Sequence, residues 1–495
     1  MVLISANREK NFEYSYLIYK EGDKYFAKNG STGKIDYSNT NAATVINFAI
    51  GNLTGGMVFI KDGLYIIDSA IVPKSNVWLE GESWETILKL NNSATETPEG
   101  SCVIYSDADV ENIVLRNLQI DGNKANQVGT RGAAHCWSNV YFRSSVKNLL
   151  IDHCYIHDSY TLGIKVWAGT SKESYGVWTT NCKVMDNDWN DINYWAYGSG
   201  AQMHASGIVN SEFGGDTTDM AISFYDAESS VPNIIFDILV QGNIIHPLTG
   251  ANGSTTTYPT DSWAHIGIRL EKGCTRIKVL DNLILGARVG IQTFPHPSGT
   301  GHHEIRGNTI YLQNAVGGSG VCVFGMYVED ANNTIKDNTI IGTADVTQDW
   351  QGIRTAYEGT SYNLIEGNHI IDYGGAGTSV GLRGYAGSYN KWIDNFVRGC
   401  DTAWSFDDTN RYVKGNWKDD LPSENSGISV NATATTFTIT HGLAGTPAYV
   451  SCSFNSTQVD AWKWTATSTT ITVTVVNSAT EDQIVACYWE AKYVP

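Results

Sequence analysis

The stretch Val240-Gln241-Gly242-Asn243-Ile244-Ile245, VQGNII, returns down the chain as VLDNLI (279–284), IRGNTI (305–310), IKDNTI (335–340), IEGNHI (365–370) and WIDNFV (392–397). Its Asn stands at 243, 282, 308, 338, 368 and 395, in steps of 39, 26, 30, 30 and 27 residues. After each phrase come a turn and a second short apolar strand: HIGIRLEKG (265–273), VGIQTF (289–294), GVCVFG (320–325), QGIRTAYEG (351–359), VGLRGYAG (380–387) and TAWSFDD (402–408). The same alternation runs upstream in NLLIDHCYIHD (148–158) with GIKVWAG (163–169), NCKVMDND (181–188) with INYWAYG (192–198), and GIVNSEFGG (207–215) with MAISFYD (220–226). Such short strands, turning at Asn or Gly residues that tolerate a left-handed backbone, cannot bury an apolar face alone. A repeat of about 21–30 residues without a helical period therefore predicts stacked coils, a parallel β-solenoid of about ten or more.

Composition agrees with an all-β chain. Gly is 49 of 495 residues and Pro only 10, while Trp, Tyr and Phe number 15, 26 and 14, which suits turns and aromatic surface. A hydrophobic share of 42% supports a sizeable core and argues against disorder. Lys and Arg total 33 against 51 Asp and Glu, a formal charge of −18, so nucleic acid is excluded as the default partner because binding it needs a basic footprint. No window approaches the roughly 18 apolar residues of a membrane span. The opening MVLISANREKNFEYS lacks the charged-then-apolar pattern of a secretory leader, so an extracellular or cell-surface protein would need another route or a leader trimmed away. Nine Cys, an odd number, argue against a disulfide framework; Cys154 and Cys182 fall at equivalent places in successive coils and read as stacked interior thiols.

Residues 41–83, NAATVINFAIGNLTGGMVFIKDGLYIIDSAIVPKSNVWLEGES, read as a short amphipathic helix, then GG-x-V-x-I, then a first coil. Here the chain resembles the right-handed parallel β-helix superfamily of pectate lyases, polygalacturonases and phage tailspikes. The resemblance covers about 40–415 and implies an all-β, right-handed parallel β-helix acting on a polysaccharide. A homotrimer is an expected assembly if the C-terminal module joins rods together. Residues 1–40, with YLIYKEGDKYFAKNGSTGKI (16–35), read as a hairpin cap, 41–416 as the β-helix and 417–425 as a polar linker. Within 426–495, TTFTITH, AYVSCSF, TTITVTVV and IVACYWEAKYV alternate with period two and predict a small antiparallel β-sandwich. That module binds carbohydrate, oligomerises the rod or covers its open end.

Strand alternation assigns the faces. With Ile164 and Val166 inward in GIKVWAG, Lys165 and Trp167 face out. Aligning the next strands places Asn193 and Trp195, Ser223 and Tyr225, Arg269 and Glu271, Gln292 and Phe294, and Cys322 and Phe324 in the same positions. One outer column is polar, continuing in Arg354 and Arg383; the other is aromatic, continuing to Tyr385. Flat aromatic rings bind the C–H faces of sugars, and a polar column hydrogen-bonds hydroxyls or carboxylates, so a sugar groove is expected with Lys165, Trp167, Asn193, Trp195, Tyr225, Arg269, Glu271 and Phe294 as substrate contacts.

Acids collect at the turns before these strands: Asp188 and Asp191 before INYWAYG, Asp216 and Asp219 before MAISFYD, with His265 in AHIGIRLE at the place of Asp219 one coil earlier. The 39-residue step carries its extra length in 247–264, expected as a wall over the acids. Glycoside hydrolysis needs one protonated and one ionised carboxylate, so Asp191 and Asp219 are the expected acid/base pair, with His265 orienting or tuning one of them and no cofactor required. The order Asp, Asp, His in successive coils is similar to polygalacturonase-type hydrolases. Where that family has N-T-D, D-D and G-H-G, this chain has NDWND (187–191), GGDTTD (214–219) and WAHIG (263–267).

The rival chemistry is β-elimination on a uronate polymer. The resemblance to pectate lyases implies Lys165 or Arg269 as base and Ca²⁺ held by Asp191, Asp216, Asp219 and Glu271. A third reading is a fibre or adhesin that holds glycan without cleaving it. The pair His302-His303 lacks the spaced partners of a zinc site and reads as surface.

Overall fold

The computed structural model describes residues 14–128, 137–217, 219–226, 234–250, 265–294, 301–314, 322–356, 359–385, 387–419, 421–422, 424–430, 436–454, 459–477 and 486–493. The chain forms two compact units, Met1–Lys278 and Val279–Pro495.

The first unit opens with three antiparallel strands, Tyr16–Glu21, Lys24–Asn29 and Ile35–Asn39; the first of them also pairs in parallel with Gly56–Ile60. The hairpin expected at the N-terminus thus adds directly to the first coil. Helix Ala42–Gly51 is capped by Asn41, whose side chain accepts the Thr44 N–H, and it buries Val45, Ile46 and Ile50. Behind it each coil supplies three short strands to three parallel sheets. Val146–Asp152, Tyr155–His157 and Leu162–Ala168 pair with Glu173–Thr180, Lys183–Met185 and Asn190–Ala196 of the following coil. Like stacks on like inside: Leu149 on Val177, Ile156 on Val184, Ile164 on Ile192, all sealed from solvent. The solenoid is a parallel β-helix, as expected.

The second unit continues the same plan. Thr334–Lys336, Thr339–Gly342 and Trp350–Thr355 pair with Leu364–Glu366, His369–Asp372 and Ser379–Gly384. The phrase that decides the fold has a sharper role here than turn-making. The left-handed residue is the one before the Asn: Asp281, Gly307, Asp337, Gly367 and Asp394 have φ between 51° and 69°. The Asn itself is buried and bridges coils. Asn308 N–H donates to Asn338 Oδ1 at 3.0 Å, Asn338 N–H to Asn368 at 3.1 Å, and Asn368 N–H to Asn395 at 3.0 Å, while Asn338 Nδ2 donates to Ile305 O. Amides that donate and accept at once satisfy the buried backbone groups at this turn from one coil to the next.

Residues 417–425, expected as a linker, include a last solenoid strand, Trp417–Lys418, parallel to Phe396–Arg398. From Glu424 the chain builds two antiparallel sheets around Phe437, Ile439, Ile471, Val473 and Trp489, the expected sandwich. Cys154 and Cys182 are free and buried, with the Cys154 N–H on Cys182 Sγ at 3.5 Å, as stacked thiols should be. Only half of the His302-His303 reading holds: His302 is exposed, whereas His303 is buried with Nε2 3.0 Å from Asp330 Oδ2.

Candidate functional site

In the first unit the third sheet runs through Ser138–Phe142, Leu162–Ala168, Asn190–Ala196, Met220–Asp226 and Ile266–Leu270. Its register aligns Tyr141, Lys165, Asn193, Ser223 and Arg269 in one column, and Trp167, Trp195 and Tyr225 in the next. In this unit Lys165, Asn193, Ser223 and Arg269, and Trp167, Trp195 and Tyr225, pair as alternation aligns them. Tyr141 is an addition, and the strand NVYFRSS (139–145) already carries its signal in the same apolar beat.

Burial separates the two columns. Trp167, Trp195 and Tyr225 are half-buried and Tyr197 is exposed; Trp167 stacks on Trp195 at 5.3 Å, and Tyr225 meets Trp195 edge-on at 4.8 Å. The exposed Arg143 lies 5.1 Å over Trp167. The polar column, expected to face solvent, is instead sealed: Lys165 is 0% exposed, Ser223 1%, Asn193 7% and Arg269 8%. Lys165 Nζ sits in a box of Tyr141, Trp167 and Trp195, whose rings cover its charge. Arg269 pairs with Glu271, itself 5% exposed. Among the described residues the Asn193 Oδ1 and Trp167 Nε1 atoms are buried without a hydrogen-bond partner.

The expected acids scatter. Asp191 does not face the groove. It is fully buried, and its carboxylate accepts from Asn187 Nδ2 (3.0 Å), Thr217 Oγ1 (2.9 Å) and the Gly214 N–H (2.6 Å). Burial pushes its carboxyl well above the ordinary range in spite of those three donors. The reason is local: Gly163 one coil before and Ala221 one coil after hold the same corner, where a side chain turns inward, and a Cβ at Gly163 would run into interior Val184. Asp191 spans that corner as a bracket.

Asp219 and His265 do share a corner. The Asp219 N–H donates to Trp189 O at 3.0 Å and the Ile266 N–H to Asp219 O at 2.8 Å, so Trp189, Asp219 and His265 are equivalent residues of three coils. Asp219 is half-buried; His265 is 3% exposed, has φ 56°, and holds Gly250 O through Nε2 at 3.1 Å. The expected wall falls mostly on 251–264, outside the described residues.

The calcium ligands expected under elimination are not gathered. Asp191 is the bracket, Asp216 is exposed and bound to Lys124 at 2.9 Å, and Glu271 is taken by Arg269. These residues do not fit the ion. Among the described residues, Asp121, His157 and Asp158 on another sheet have metal-like spacing, but Lys89 pairs with Asp121, and His157 is held by Asp158 (2.8 Å) and Gln119 (2.9 Å). Each of the three side chains thus already has a protein partner.

In the second unit, Gln292 aligns with Tyr327, Tyr327 with Arg354, and Arg354 with Arg383. Cys322 and Phe324 therefore lie outside the positions expected for them; Phe324 pairs with Val289, and Met326 takes the place opposite Ile291 that the sequence alignment gave to Val321. Phe294 is 7% exposed, too buried for an open sugar contact.

No family model and no curated protein matches this chain. Among solved structures, it is similar to the A-module of the mannuronan C-5 epimerase AlgE6 of Azotobacter vinelandii, with 16% identity and a TM-score of 0.54 over 76% of this chain and 95% of that one. It is also similar to the tailspike gp61 of Pseudomonas phage phi297 (10% identity, TM-score 0.48, 91% and 92% covered). A further likeness is to DFA-IIIase from Arthrobacter chlorophenolicus A6 (12%, 0.48, 72% and 91%). At these identities the shared property is the fold.

Proposed function

We propose that the chain is a carbohydrate-active β-helix protein, outside the cell or at its surface, that holds a polysaccharide on the shelf formed by Trp167, Trp195, Tyr197 and Tyr225. The observation that carries this reading is the register of Trp167, Trp195 and Tyr225 on three successive strands, which lines a row of half-buried rings along one face for consecutive sugars. Cleavage is assigned to the corner at one end of those strands. Asp219 acts as acid or base there, and His265, fixed through Gly250, positions it. Hydrolysis by two carboxylates loses Asp191 as the second group, because a sealed carboxyl with three internal donors cannot reach a glycosidic oxygen.

Elimination is the second reading, with Arg269 of the same face as its base, since Lys165 is sealed under its rings as completely as Asp191 is by its donors. The deciding experiment incubates the protein with neutral and acidic polysaccharides, with and without chelator, following reducing ends and the ultraviolet absorbance of unsaturated sugar ends. Reducing ends without absorbance, abolished by Asp219→Asn, support hydrolysis. Absorbance moves the chemistry to Arg269. Glycan binding without cleavage leaves a binding fibre, and absence of both overturns the proposal.

A further inference from the structure

The C-terminal sandwich holds two thiols on one face of one sheet. Edge strand Tyr449–Phe454 runs antiparallel to the central strand Ala486–Lys492, with Cys452 opposite Trp489 and Cys487 opposite Phe454. The period of two turns both cysteines toward the same core, where Cys487 is sealed and Cys452 is half-buried. They are diagonal neighbours on that face, and the twist of the sheet brings the sulfurs together: the Cys452 S–H donates to Cys487 Sγ. Cys154 and Cys182 also meet, but both lie inside the solenoid, 0% and 3% exposed, where no reagent reaches them. A half-buried thiol beside a sealed one is different, because an outside reagent meets the first and the second can complete an exchange.

The strand that carries Cys452 is the one with most to gain. It is paired along one side only, so it is a place where the sheet opens first. Between the two cysteines the chain forms Val459–Ala466 and Thr470–Asn477, two of the three strands of the facing sheet. A bond from Cys452 to Cys487 closes that hairpin into a covalent loop and ties the edge strand to the central one. We propose that Cys452 and Cys487 are a modification site, a thiol pair that a low-molecular-weight disulfide oxidises to a cross-strand bond locking the sandwich. The Cys452 thiolate attacks one sulfur of the reagent and releases one thiolate; the Cys487 thiolate then attacks Cys452 Sγ and releases the second. The protein thiols lose two protons and two electrons, and the reagent takes up both to end as two thiols. The lock is open where thiols are kept reduced and shut in an oxidising medium. It requires neither glycan binding nor cleavage.

The test incubates the full chain with oxidised or reduced glutathione, alkylates the remaining thiols under denaturing conditions and maps the linked peptides by mass. Oxidised protein should yield Cys452 joined to Cys487, with Cys154 and Cys182 alkylated. Hydrogen exchange on the same samples should show the amides of Tyr449–Phe454 opening about tenfold or more slowly in the oxidised form, while those of Thr334–Lys336 in the solenoid stay the same. Cys452→Ser, at a half-buried position, should abolish both the link and the slowing. Cys487→Ala should stop the reaction half-way, leaving glutathione bound to Cys452; if loss of that sealed side chain unfolds the sandwich, Cys452→Ser still decides. Absence of the linked peptide, a glutathione adduct that persists on Cys452 of the wild-type chain, or equal exchange in the two redox forms overturns the proposal.

Discussion

Lys165 Nζ lies 4.1 Å from the centre of the Trp195 ring on the neighbouring strand. With Tyr141 and Trp167 at 5.0 and 5.2 Å, the cation is walled by three rings and holds the two tryptophans of the shelf against one another. A desolvated cation–π contact contributes about 0.5–2 kcal/mol. Lys165→Met, of similar length but uncharged, should lower stability by about 1 kcal/mol and change tryptophan emission in the native state. Denaturant unfolding followed by fluorescence measures both, and an unchanged native spectrum would show that the charge does not set the box.

The shelf itself makes a separate prediction. Trp195→Ala should weaken polysaccharide binding about tenfold, the loss of roughly 1.4 kcal/mol of ring stacking. Trp78, 45% exposed on a different sheet, is the control: Trp78→Ala should leave affinity unchanged. Affinity electrophoresis in polysaccharide gels compares them, and equal losses would refute a localised shelf.

Asp191 and Asp219 should part company on mutation. Because burial raises the folded-state carboxyl of Asp191, the folded protein binds that proton more tightly than the unfolded chain. Its contribution is fully present below the ordinary carboxylate value of about 4 and is lost as pH climbs toward the raised folded value. Asp191→Asn should therefore flatten the decline of stability with rising pH while the folded protein keeps its activity. Asp219→Asn should do the reverse, with unchanged stability and activity down about a hundredfold or more. Melting curves across pH, paired with assays on the same samples, give the answer.

The Asn column predicts a large local penalty. Asn338→Asp keeps the shape but removes the Nδ2 donors that reach Ile305 O and Asn368 Oδ1, and sets a carboxylate against that amide oxygen inside the coil. A loss of about 3 kcal/mol or more is expected, since a buried charge adds to the donor lost by Ile305 O and to the repulsion at Asn368 Oδ1. Urea unfolding measures it; a loss below about 1 kcal/mol would mean the ladder carries little of the stability.

Much of this was legible in order along the chain. Each coil packs only on its neighbours, so the recurrence of Asn243, Asn282, Asn308 and their successors was enough to predict a solenoid, and strand alternation was enough to align Lys165 with Asn193, Ser223 and Arg269. Inward or outward direction along a regular strand follows a local period of two. Three matters were beyond that reach. The corner before the third strand breaks the period, so counting from Ile192 sent Asp191 outward when the fold turns it in. Burial of a column depends on what lies over it, and the large rings of Tyr141, Trp167 and Trp195 close over Lys165. Register in GVCVFG rested on which apolar residue faces Ile291, and there Met326 took the place that alignment on the inward apolar residues gave to Val321. The sequence determined the repeat because repetition is a one-dimensional property; which acid faces a sugar was decided by packing between coils, where one residue of slip at a corner exchanges inside for outside.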